Sequence, residues 1–382
     1  MKKCDNKNSV PSPCYLLSER ALMANLELID RVRKLSGAEV IVALKASAMW
    51  SIFPLLAAHS DGATASSLSE ARLVHEEFGT LSHTYAPIYT DSEIEQILEL
   101  SSHITFNSLS QHQRFGERAR ARGISCGLRI NPEYSPVGTD LYNPCVAGSR
   151  LGIAKELLKK GLPEGIEGLH FHVLCESRPH HLRLALEAVE RNFGALLEGV
   201  KWLNMGGGHL MAHEEYDCDE LIEVIRWFKG RHPHLRLILE PGSAFTWRTG
   251  SLIATIEDIV ENGGVRTAMM NASFACHMPD CLEMPYKPSI VGTREPKEGE
   301  KGWRLGGNSC LAGDFIGEWV FEDGHTPLLG ERIEFEDMIH YTMVKTTMFN
   351  GVSHPAIAIE RESGEVEIVR EFGYEDFKTR MS

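Results

Sequence analysis

Strand-like and helix-like segments alternate along the chain from residue 15 to about residue 242. The first helix is predicted over Glu19–Lys34, where Leu22, Leu26 and Ile29 share one face. Eight units of strand and helix over some 220 residues favour a (β/α)8 barrel, although a doubly wound open sheet has nearly the same alternation. The eight predicted strands lie near residues 39–44, 62–66, 83–88, 103–107, 124–130, 168–174, 201–205 and 235–240.

Beyond residue 245 the helical periodicity fades, and short alternating segments with turn residues replace it. The clearest is a hairpin predicted from Ala356–Glu360 and Glu365–Val369, which flank a Ser-Gly turn. We therefore predict two domains, a barrel over residues 18–244 and an antiparallel β domain over residues 245–382. The apolar run Cys14–Leu17 is expected to add a strand to the second domain, so residues 1–17 are assigned to it.

The composition excludes several classes of partner. The chain has 39 Lys and Arg against 53 Asp and Glu, a net charge of −14. This charge repels nucleic acid and suits a polycationic small-molecule substrate. No run approaches the ~20 apolar residues of a membrane helix, and no apolar stretch follows the amino-terminal lysines as in a secretory signal. Nine cysteines without a CxxC pair predict a cytoplasmic protein with no metal site.

Polar residues and glycines follow the predicted barrel strands at their carboxyl ends. Lys45 follows the first strand, Arg129 closes the fifth, His172 lies near the end of the sixth, and Glu240 ends the eighth. Gly206–Gly208 follow the seventh, where bare backbone amides can approach a phosphate. Considered alone, a lysine at a strand end is usually solvated, and three glycines usually form a turn. Barrel enzymes, however, have their active sites at this face of the barrel. The convergence therefore indicates a site.

A lysine, a phosphate-binding loop and a carboxylate around one barrel mouth suggest pyridoxal phosphate (PLP). The lysine amine would bond to the cofactor aldehyde, and the glycines would hold its phosphate. The carboxylate would keep the pyridine nitrogen protonated, which makes the ring a strong electron sink. Because such a sink stabilises a carbanion at the substrate's α-carbon, this chemistry favours decarboxylation over simple racemisation.

These motifs resemble those of the alanine-racemase-fold PLP enzymes, and among them the ornithine and diaminopimelate decarboxylases, over nearly the whole chain. The resemblance implies that Lys45 bonds to the cofactor and that His172 stacks on its ring. It further implies that Glu240 pairs with the ring nitrogen, and that Gly206–Gly208 and Gly242 hold the phosphate.

Other parts of the chain carry the same resemblance. In GNSCLAGD, Cys310 matches the family's cysteine, which comes from the other subunit and returns a proton to the α-carbon. Tyr341 matches a tyrosine that touches the phosphate, Arg129 an arginine near the ring, and Glu70 a glutamate of the second barrel unit. The resemblance thus implies a homodimer with active sites shared across its interface.

Two departures narrow the subfamily. Ser243 stands where ornithine decarboxylases have an arginine, and Leu311 where they have an aspartate, and diaminopimelate decarboxylases a glutamate, for the far end of the substrate. The stretches TDLYNPC…GSRLGI, HFHVLCE, CHMPDCLEMPY and SCLAGD are similar to carboxynorspermidine decarboxylases. Those enzymes also act on carboxyspermidine and complete a bacterial route to norspermidine or spermidine. A decarboxylase of the ornithine or diaminopimelate type is the alternative.

The substrate that this resemblance implies carries several ammonium groups, which need carboxylates or carbonyls around them. Asp314, in the cysteine loop, is one candidate, and Asp280 with the neighbouring His277 is another; Asn271 is a third. For Asp280 a loop-capping role is the structural alternative. A catalytically dead relative is disfavoured because Lys45, the glycines and the cysteine are all present, and a racemase because a glutamate stands at the ring-nitrogen position.

Overall fold

The computed structural model describes residues 8–284 and 286–382 and divides into two compact units. The barrel unit spans Asn25–Phe245, and the β unit comprises Met1–Ala24 and Thr246–Ser382. The later division lies one residue from the predicted boundary at 244/245, whereas the earlier one falls inside the first helix. Among the described residues, no helix is both long and apolar enough to cross a membrane.

Strands and helices alternate through the barrel unit in chain order. Strand β1 (Cys14–Ser18) belongs to the β unit and leads into α1 (Glu19–Ser36). The barrel strands are β2 (Glu39–Val40), β3 (Val42–Ala43), β4 (Ala63–Ala65), β5 (Ser82–Tyr85), β6 (Ser101–Phe106), β7 (Ser125–Arg129), β8 (Ile166–His170), β9 (Trp202–Asn204) and β10 (Arg236–Leu239). The helices are α2 (Phe53–Ala58), α3 (Leu68–Leu73), α4 (Ile94–Glu99), α5 (Leu109–Ala121), α6 (Pro179–Leu197), α7 (Cys218–Arg231) and α8 (Ser243–Thr246), with 3₁₀ turns at Trp50–Ile52, Asp140–Tyr142 and Lys155–Leu158.

The first predicted strand is split in two, and this split closes the barrel. β2 pairs in parallel with β10, β3 pairs in parallel with β4, and only Ile41 separates them. The Ile41 amide donates to the Leu239 carbonyl, and the Val42 amide to the Gly62 carbonyl, both at 2.9 Å. The predicted (β/α)8 barrel is therefore confirmed, with its first strand position divided between two neighbours, and the doubly wound open sheet is excluded.

Local signals explain where the helical segment that starts with α3 begins and ends. Ser67 caps α3 by accepting the Glu70 amide at 3.1 Å, and α3 continues directly into a π-helical turn over Val74–Phe78. Gly79 then ends it with a φ of +76°. α4 is short and ends at Glu99, because Ser101 already belongs to β6.

An indole fills space across two barrel strands. Trp202 is the first residue of β9, and a Cβ added at Gly127 or Gly168 would lie 2.2 or 1.9 Å from its ring. Beside it, the imidazoles of His83 and His103 stack with 3.9 Å between ring centroids. The Trp202 ring meets His103 edge-on at 5.6 Å. Both glycines are therefore required by packing.

Besides β1, the strands of the β unit are β11 (Gly250–Asn262), β12 (Val265–Met270), β13 (Thr293–Arg294), β14 (Trp303–Gly306), β15 (Phe315–Phe321), β16 (Arg332–Glu336), β17 (Ala356–Glu360) and β18 (Val366–Arg370). They form a sheet with the order β13-β15-β14-β12-β11-β1-β17-β18, and β16 also pairs with β11. The helices of the β unit are α9 (Phe274–His277), α10 (Pro279–Glu283), α11 (Tyr341–Val344) and α12 (Tyr374–Met381), with 3₁₀ turns at Glu322–Gly324 and Phe349–Gly351.

The amino-terminal strand makes this sheet mixed. β1 lies between β11, to which it is antiparallel, and β17, to which it is parallel, and β12 and β14 are also parallel. The expected extra strand and the β17–β18 hairpin are confirmed, but the purely antiparallel sheet was wrong. A strand that arrives from the far end of the chain is not joined to its neighbours by a hairpin, so no tight turn sets its direction.

Candidate active site

A small cavity opens among the carboxyl ends of the barrel strands. Four residues predicted for the site line it together, namely Lys45, Arg129, His172 and Glu240. The other lining residues are Ala43, Leu44, Thr64, Ser66, Tyr85 and His170. The predicted convergence of these four side chains is therefore present in the structure.

The parallel register explains why they meet. In the ladder, Arg129 is the partner of His170 and His170 is the partner of Asn204, so the ends of β7, β8 and β9 lie level. Glu240 directly follows β10, the neighbour of β9, and Lys45 follows β3 by two residues. Because carboxyl ends of parallel strands share one edge, residues distant in sequence surround one space.

Lys45 lines the cavity, and part of its side chain is exposed. Its amine is nevertheless surrounded by protein atoms and desolvated. Burial lowers the pKa of its amine most; Glu240 opposes this effect, Arg129 adds to it, and Glu70 opposes it. A lysine in an internal recess with a lowered pKa is more readily neutral, as a nucleophilic amine must be.

Glu240 is held as a carboxylate. Asn204 Nδ2 donates to Glu240 Oε1 at 2.6 Å, whereas His170 Nε2 lies 3.5 Å from Oε2, longer than a normal hydrogen bond. Burial by itself raises the pKa of Glu240, but His170, the Asn204 hydrogen bond and Lys45 outweigh it and lower that pKa to about 2. Burial lowers the pKa of His170, so the imidazole beside this carboxylate is neutral.

His172 and Arg129 are fixed to the protein framework. The Gly207 amide donates to His172 Nδ1 at 3.0 Å, and Arg129 Nη2 donates to the His172 carbonyl at 3.1 Å. The Arg129 guanidinium also lies 4.8 Å from the centre of the Tyr85 ring. Burial, followed by the charges of Lys45 and Arg129, lowers the pKa of His172 well below its usual value. The neutral ring therefore accepts at Nδ1.

The glycine loop is packed too tightly for side chains. A Cβ at Gly207 would lie 2.3 Å from the Glu240 carbonyl oxygen, and one at Gly208, where φ is +94°, would lie 2.3 Å from the Leu174 carbonyl oxygen. At Gly242 a Cβ would lie 2.5 Å from the Ala46 Cβ. These positions need glycine whether or not an anion binds.

Two of the loop amides are already used. The Gly206 amide donates to Asn204 Oδ1 at 2.9 Å, and the Gly207 amide donates to His172. These two amides therefore already have partners within the protein. The Gly208 amide is the remaining candidate for a phosphate contact.

Glu70 lies in the first turn of α3, and its charge acts on Lys45. Its Oε2 accepts the Ser66 amide at 2.6 Å. Burial raises its pKa, and the Ser66 bond and the charge of Lys45 act in the other direction without cancelling it. This carboxyl group is therefore the more easily protonated of the two acids that act on Lys45.

The residues predicted for substrate binding lie in the β unit, and three of them use their polar side-chain atoms in hydrogen bonds within that unit. Asp314, which is 4% exposed, accepts the Ala275 amide on Oδ1 and the Ser309 amide on Oδ2, both at 3.0 Å. Asn271 bonds through its side chain to residues 12 and 255, and His277 to residues 273 and 353. These bonds favour loop-holding roles over the predicted substrate contacts.

Asp280 differs from these three. Tyr286 and Thr342 both donate to its Oδ2, at 2.5 and 3.1 Å. Within residues 8–284 and 286–382, Oδ1 is buried with no hydrogen-bond partner. Asp280 therefore keeps one carboxylate oxygen for a further donor.

Cys310 and Tyr341 also belong to the β unit, and both are exposed. The Cys310 amide donates to Asn350 Oδ1 at 2.8 Å, so the cysteine loop is tied to the Phe349–Gly351 turn. Tyr341 is the first residue of α11. Their roles toward cofactor and substrate stay predictions.

Sequence reasoning missed three residues of the barrel site. Asn204 contacts both Glu240 and the glycine loop, and Tyr85 lines the cavity under the Arg129 guanidinium. His170 also lines the cavity, and both of its ring nitrogens lack a hydrogen-bond partner in the described chain. The available signal was their position as the last residues of strands, which also identified Arg129.

Comparison with known proteins identifies the family. No family model matches the chain. It is 53% identical over 375 residues to the carboxyaminopropylagmatine decarboxylase of Synechocystis sp., which covers 98% of this chain and 96% of that protein. It is 38% identical to the carboxynorspermidine/carboxyspermidine decarboxylase of Campylobacter jejuni, over 97% of this chain and 98% of the relative.

A solved structure gives the same result. The crystal structure of carboxynorspermidine decarboxylase from Campylobacter jejuni, complexed with norspermidine, superimposes with a TM-score of 0.89 at 36% identity. The match covers 97% of this chain and all of that one. With relatives this similar over nearly its full length, the chain belongs to the carboxynorspermidine/carboxyspermidine decarboxylase family.

Proposed function

We propose that the protein is a PLP-dependent decarboxylase that acts on a carboxylated polyamine precursor, carboxynorspermidine or carboxyspermidine, and works as a cytoplasmic homodimer with shared active sites. The observation that carries the proposal is the barrel cavity, where an accessible lysine of lowered pKa shares the lining with an ionised glutamate. This pair of groups is what a cofactor with an aldehyde and a basic ring nitrogen requires.

The donor set of the cavity fits PLP. Lys45 would attach the cofactor through its aldehyde, Glu240 would hold the protonated ring nitrogen, and His172 would pack on the ring. The Gly208 amide and the Gly242 segment would hold the phosphate. The loop follows β9, the neighbour of β10, so it lies at the same strand ends as Glu240, which supports this assignment.

PLP, when bound, supplies an electron sink that stabilises the negative charge left on the α-carbon as CO2 departs. Around it, the neutral amine of Lys45 can take up a proton at Nζ. The carboxylate of Glu240 stays unprotonated because its pKa is about 2. Arg129 and Tyr85, which both line the cavity, pack against each other. Cys310, from the partner subunit, would return the proton to the α-carbon.

For substrate selection, the charge of −14 and Asp280 are the supporting features. A polyamine precursor carries several ammonium groups that an acidic protein attracts. The unpartnered Oδ1 of Asp280 can accept one ammonium hydrogen bond, which Asp314 can do less readily because both of its oxygens already accept amides. We therefore assign the distal ammonium contact to Asp280.

The exposed surface beside Cys310 supports the homodimer. Leu311 is 47% exposed and Phe349, in the turn bonded to the cysteine loop, is 49% exposed. Neighbouring apolar side chains that stay exposed are typical of association surfaces. Mixing inactive Lys45→Ala subunits with inactive Cys310→Ala subunits should restore part of the activity. No recovery after verified subunit exchange would contradict shared sites.

A second candidate substrate is carboxyaminopropylagmatine. The observation that favours it is the 53% identity to the Synechocystis enzyme of that name, against 38% for the Campylobacter jejuni enzyme. Agmatine ends in a guanidinium group rather than an ammonium, so a carboxylate that pairs with two parallel N–H groups would favour it. Both candidates share the α-amino acid end at which CO2 is released.

A CO2-release assay over a panel of substrates tests the proposal. The panel comprises carboxynorspermidine, carboxyspermidine, carboxyaminopropylagmatine, ornithine and diaminopimelate, each with and without added PLP. We expect the three carboxylated polyamine precursors to be turned over faster than the two amino acids, and the order among them to assign the substrate. Faster turnover of ornithine, or a colourless protein that takes up no PLP, would refute the proposal.

A further inference from the structure

The Asn204 side chain is a buried amide whose two ends meet two different parts of the active-site wall. It is 3% exposed and ends β9. Its Nδ2 donates to Glu240 Oε1 at 2.6 Å, and its Oδ1 accepts the Gly206 amide at 2.9 Å. One rigid, planar group therefore fixes both the carboxylate and the first glycine of the loop.

The contact to Glu240 determines which carboxylate oxygen remains available. The donated hydrogen bond occupies Oε1, while Oε2 faces His170 Nε2 across 3.5 Å. A hydrogen bond donated to a carboxylate stabilises its ionised form and limits its rotation. Because an amide cannot give up its proton at neutral pH, Asn204 can only donate through this nitrogen.

We propose that Asn204 is a positioning residue that keeps the Glu240 carboxylate ionised and oriented and couples it to the glycine loop. The inference rests on the proposed function, in which Glu240 pairs with the ring nitrogen of the cofactor. It adds that the charge of this pair depends on a neutral side chain at position 204. A carboxylate there would compete with Glu240 for a proton.

Asn204→Asp isolates the contact to Glu240. Aspartate has nearly the same size and can still accept the Gly206 amide, but it replaces the donor to Glu240 with an oxygen. Two carboxylates this close share a proton, so their apparent pKa rises toward neutrality. The apoprotein variant should then lose thermal stability relative to the parent as the pH is raised from about 5 to about 8, because the native state must release the proton that stabilises it.

Cofactor binding provides the second readout. With Glu240 partly neutralised by the shared proton, the variant should bind PLP about tenfold more weakly at neutral pH, as expected for loss of a charge-assisted contact. Equilibrium dialysis of the apoprotein with PLP measures this constant directly and needs no turnover.

The double variant Asn204→Asp with Glu240→Gln is the matched control. It reverses the hydrogen bond, since the glutamine amide now donates to the aspartate. It should therefore recover the stability and the flat pH profile of the parent while PLP binding stays weak, because position 240 no longer carries the charge. The single Glu240→Gln variant supplies the reference for that loss.

Two results would overturn the inference. One is an Asn204→Asp variant with the parent's pH profile and PLP affinity. The other is a double variant that is no more stable than Asn204→Asp, including the case in which neither folds, because the two side chains would then not be coupled. The stability arm needs no cofactor, so it gives its answer even if the protein takes up no PLP and the proposed function fails.

Discussion

The residues that line the barrel cavity and those predicted for substrate binding in the β unit use their polar groups in different ways. At the barrel cavity both ring nitrogens of His170 lack a hydrogen-bond partner in the described chain, and in the β unit the same holds for Asp280 Oδ1. In the β unit, Asn271, His277 and Asp314 direct their polar groups to backbone and side-chain partners nearby. Since a buried polar atom without a partner is costly, unused capacity around a cavity is a better sign of a binding site than the presence of polar residues.

Replacing the cavity lysine should have the largest effect. Lys45→Ala removes the only group proposed to bond to the cofactor, so we expect decarboxylation to fall by at least about 10³-fold and the visible absorption of bound PLP to disappear. Lys159→Ala, at an exposed lysine of the same unit, is the matched control and should behave as the parent. Retained activity in Lys45→Ala would show that the barrel cavity is not the active site.

Glu240→Gln comes next, with an expected loss of about 10²-fold in kcat because the charge beside the ring nitrogen is removed. The pKa of Glu240 is lowered from 4.5 to about 2, so its carboxylate stabilises the native state above about pH 4.5, and this contribution is lost as the pH falls toward 2. The upper limit of this contribution is roughly 3 kcal/mol, from about 1.4 kcal/mol per pKa unit.

Urea unfolding of the apoprotein at about pH 6 and about pH 3 measures this loss of free energy of unfolding. The parent should lose more stability than Glu240→Gln over this interval. Equal losses would mean that folding does not lower the pKa of Glu240 below its value in the unfolded chain.

Within the β unit, Asp280→Asn and Asp314→Asn should give opposite results. The first should raise KM for the polycationic substrate about tenfold, because a charged hydrogen-bond acceptor is lost, and should leave thermal stability nearly unchanged. The second should lower the free energy of unfolding by about 1–3 kcal/mol, since an amide nitrogen would face a backbone amide, and should leave KM unchanged. If Asp314→Asn instead raised KM, the substrate contact would belong to the cysteine loop, as predicted from the sequence.

The smallest effect is expected at the His83–His103 stack, away from the cavity. Burial lowers the pKa of His103 to about 4, with the Arg236 charge adding to it, so the native state keeps the ring neutral while the unfolded chain takes up a proton near pH 6.5. Stability therefore falls as the pH drops below 6.5, and His103→Gln should reduce this fall by about 1 kcal/mol between about pH 6.5 and about pH 5. Unchanged kcat and KM would show that buried polar groups of the barrel matter for catalysis only around the cavity.

The barrel site was largely predictable because strand alternation and parallel pairing place the ends of distant strands together. Lys45, Arg129, His172 and Glu240 needed only the strand count. The hydrogen bonds that Asn204 makes were not predictable, since they depend on the exact turn of the loop after β9. In the β unit the strands were found, but loop residues such as Asp314 are bonded by amides that no periodic pattern brings near.

The Trp202 ring packs across β7 and β8, so the side chains at positions 127, 168 and 202 must fit into one common volume. The indole occupies the room that the absence of side chains at Gly127 and Gly168 leaves, and a Cβ at either position would lie less than 2.5 Å from a ring atom. A larger residue at one of the glycines can therefore be accommodated only together with a smaller ring at position 202. Anyone who redesigns this barrel must change the three positions as one unit.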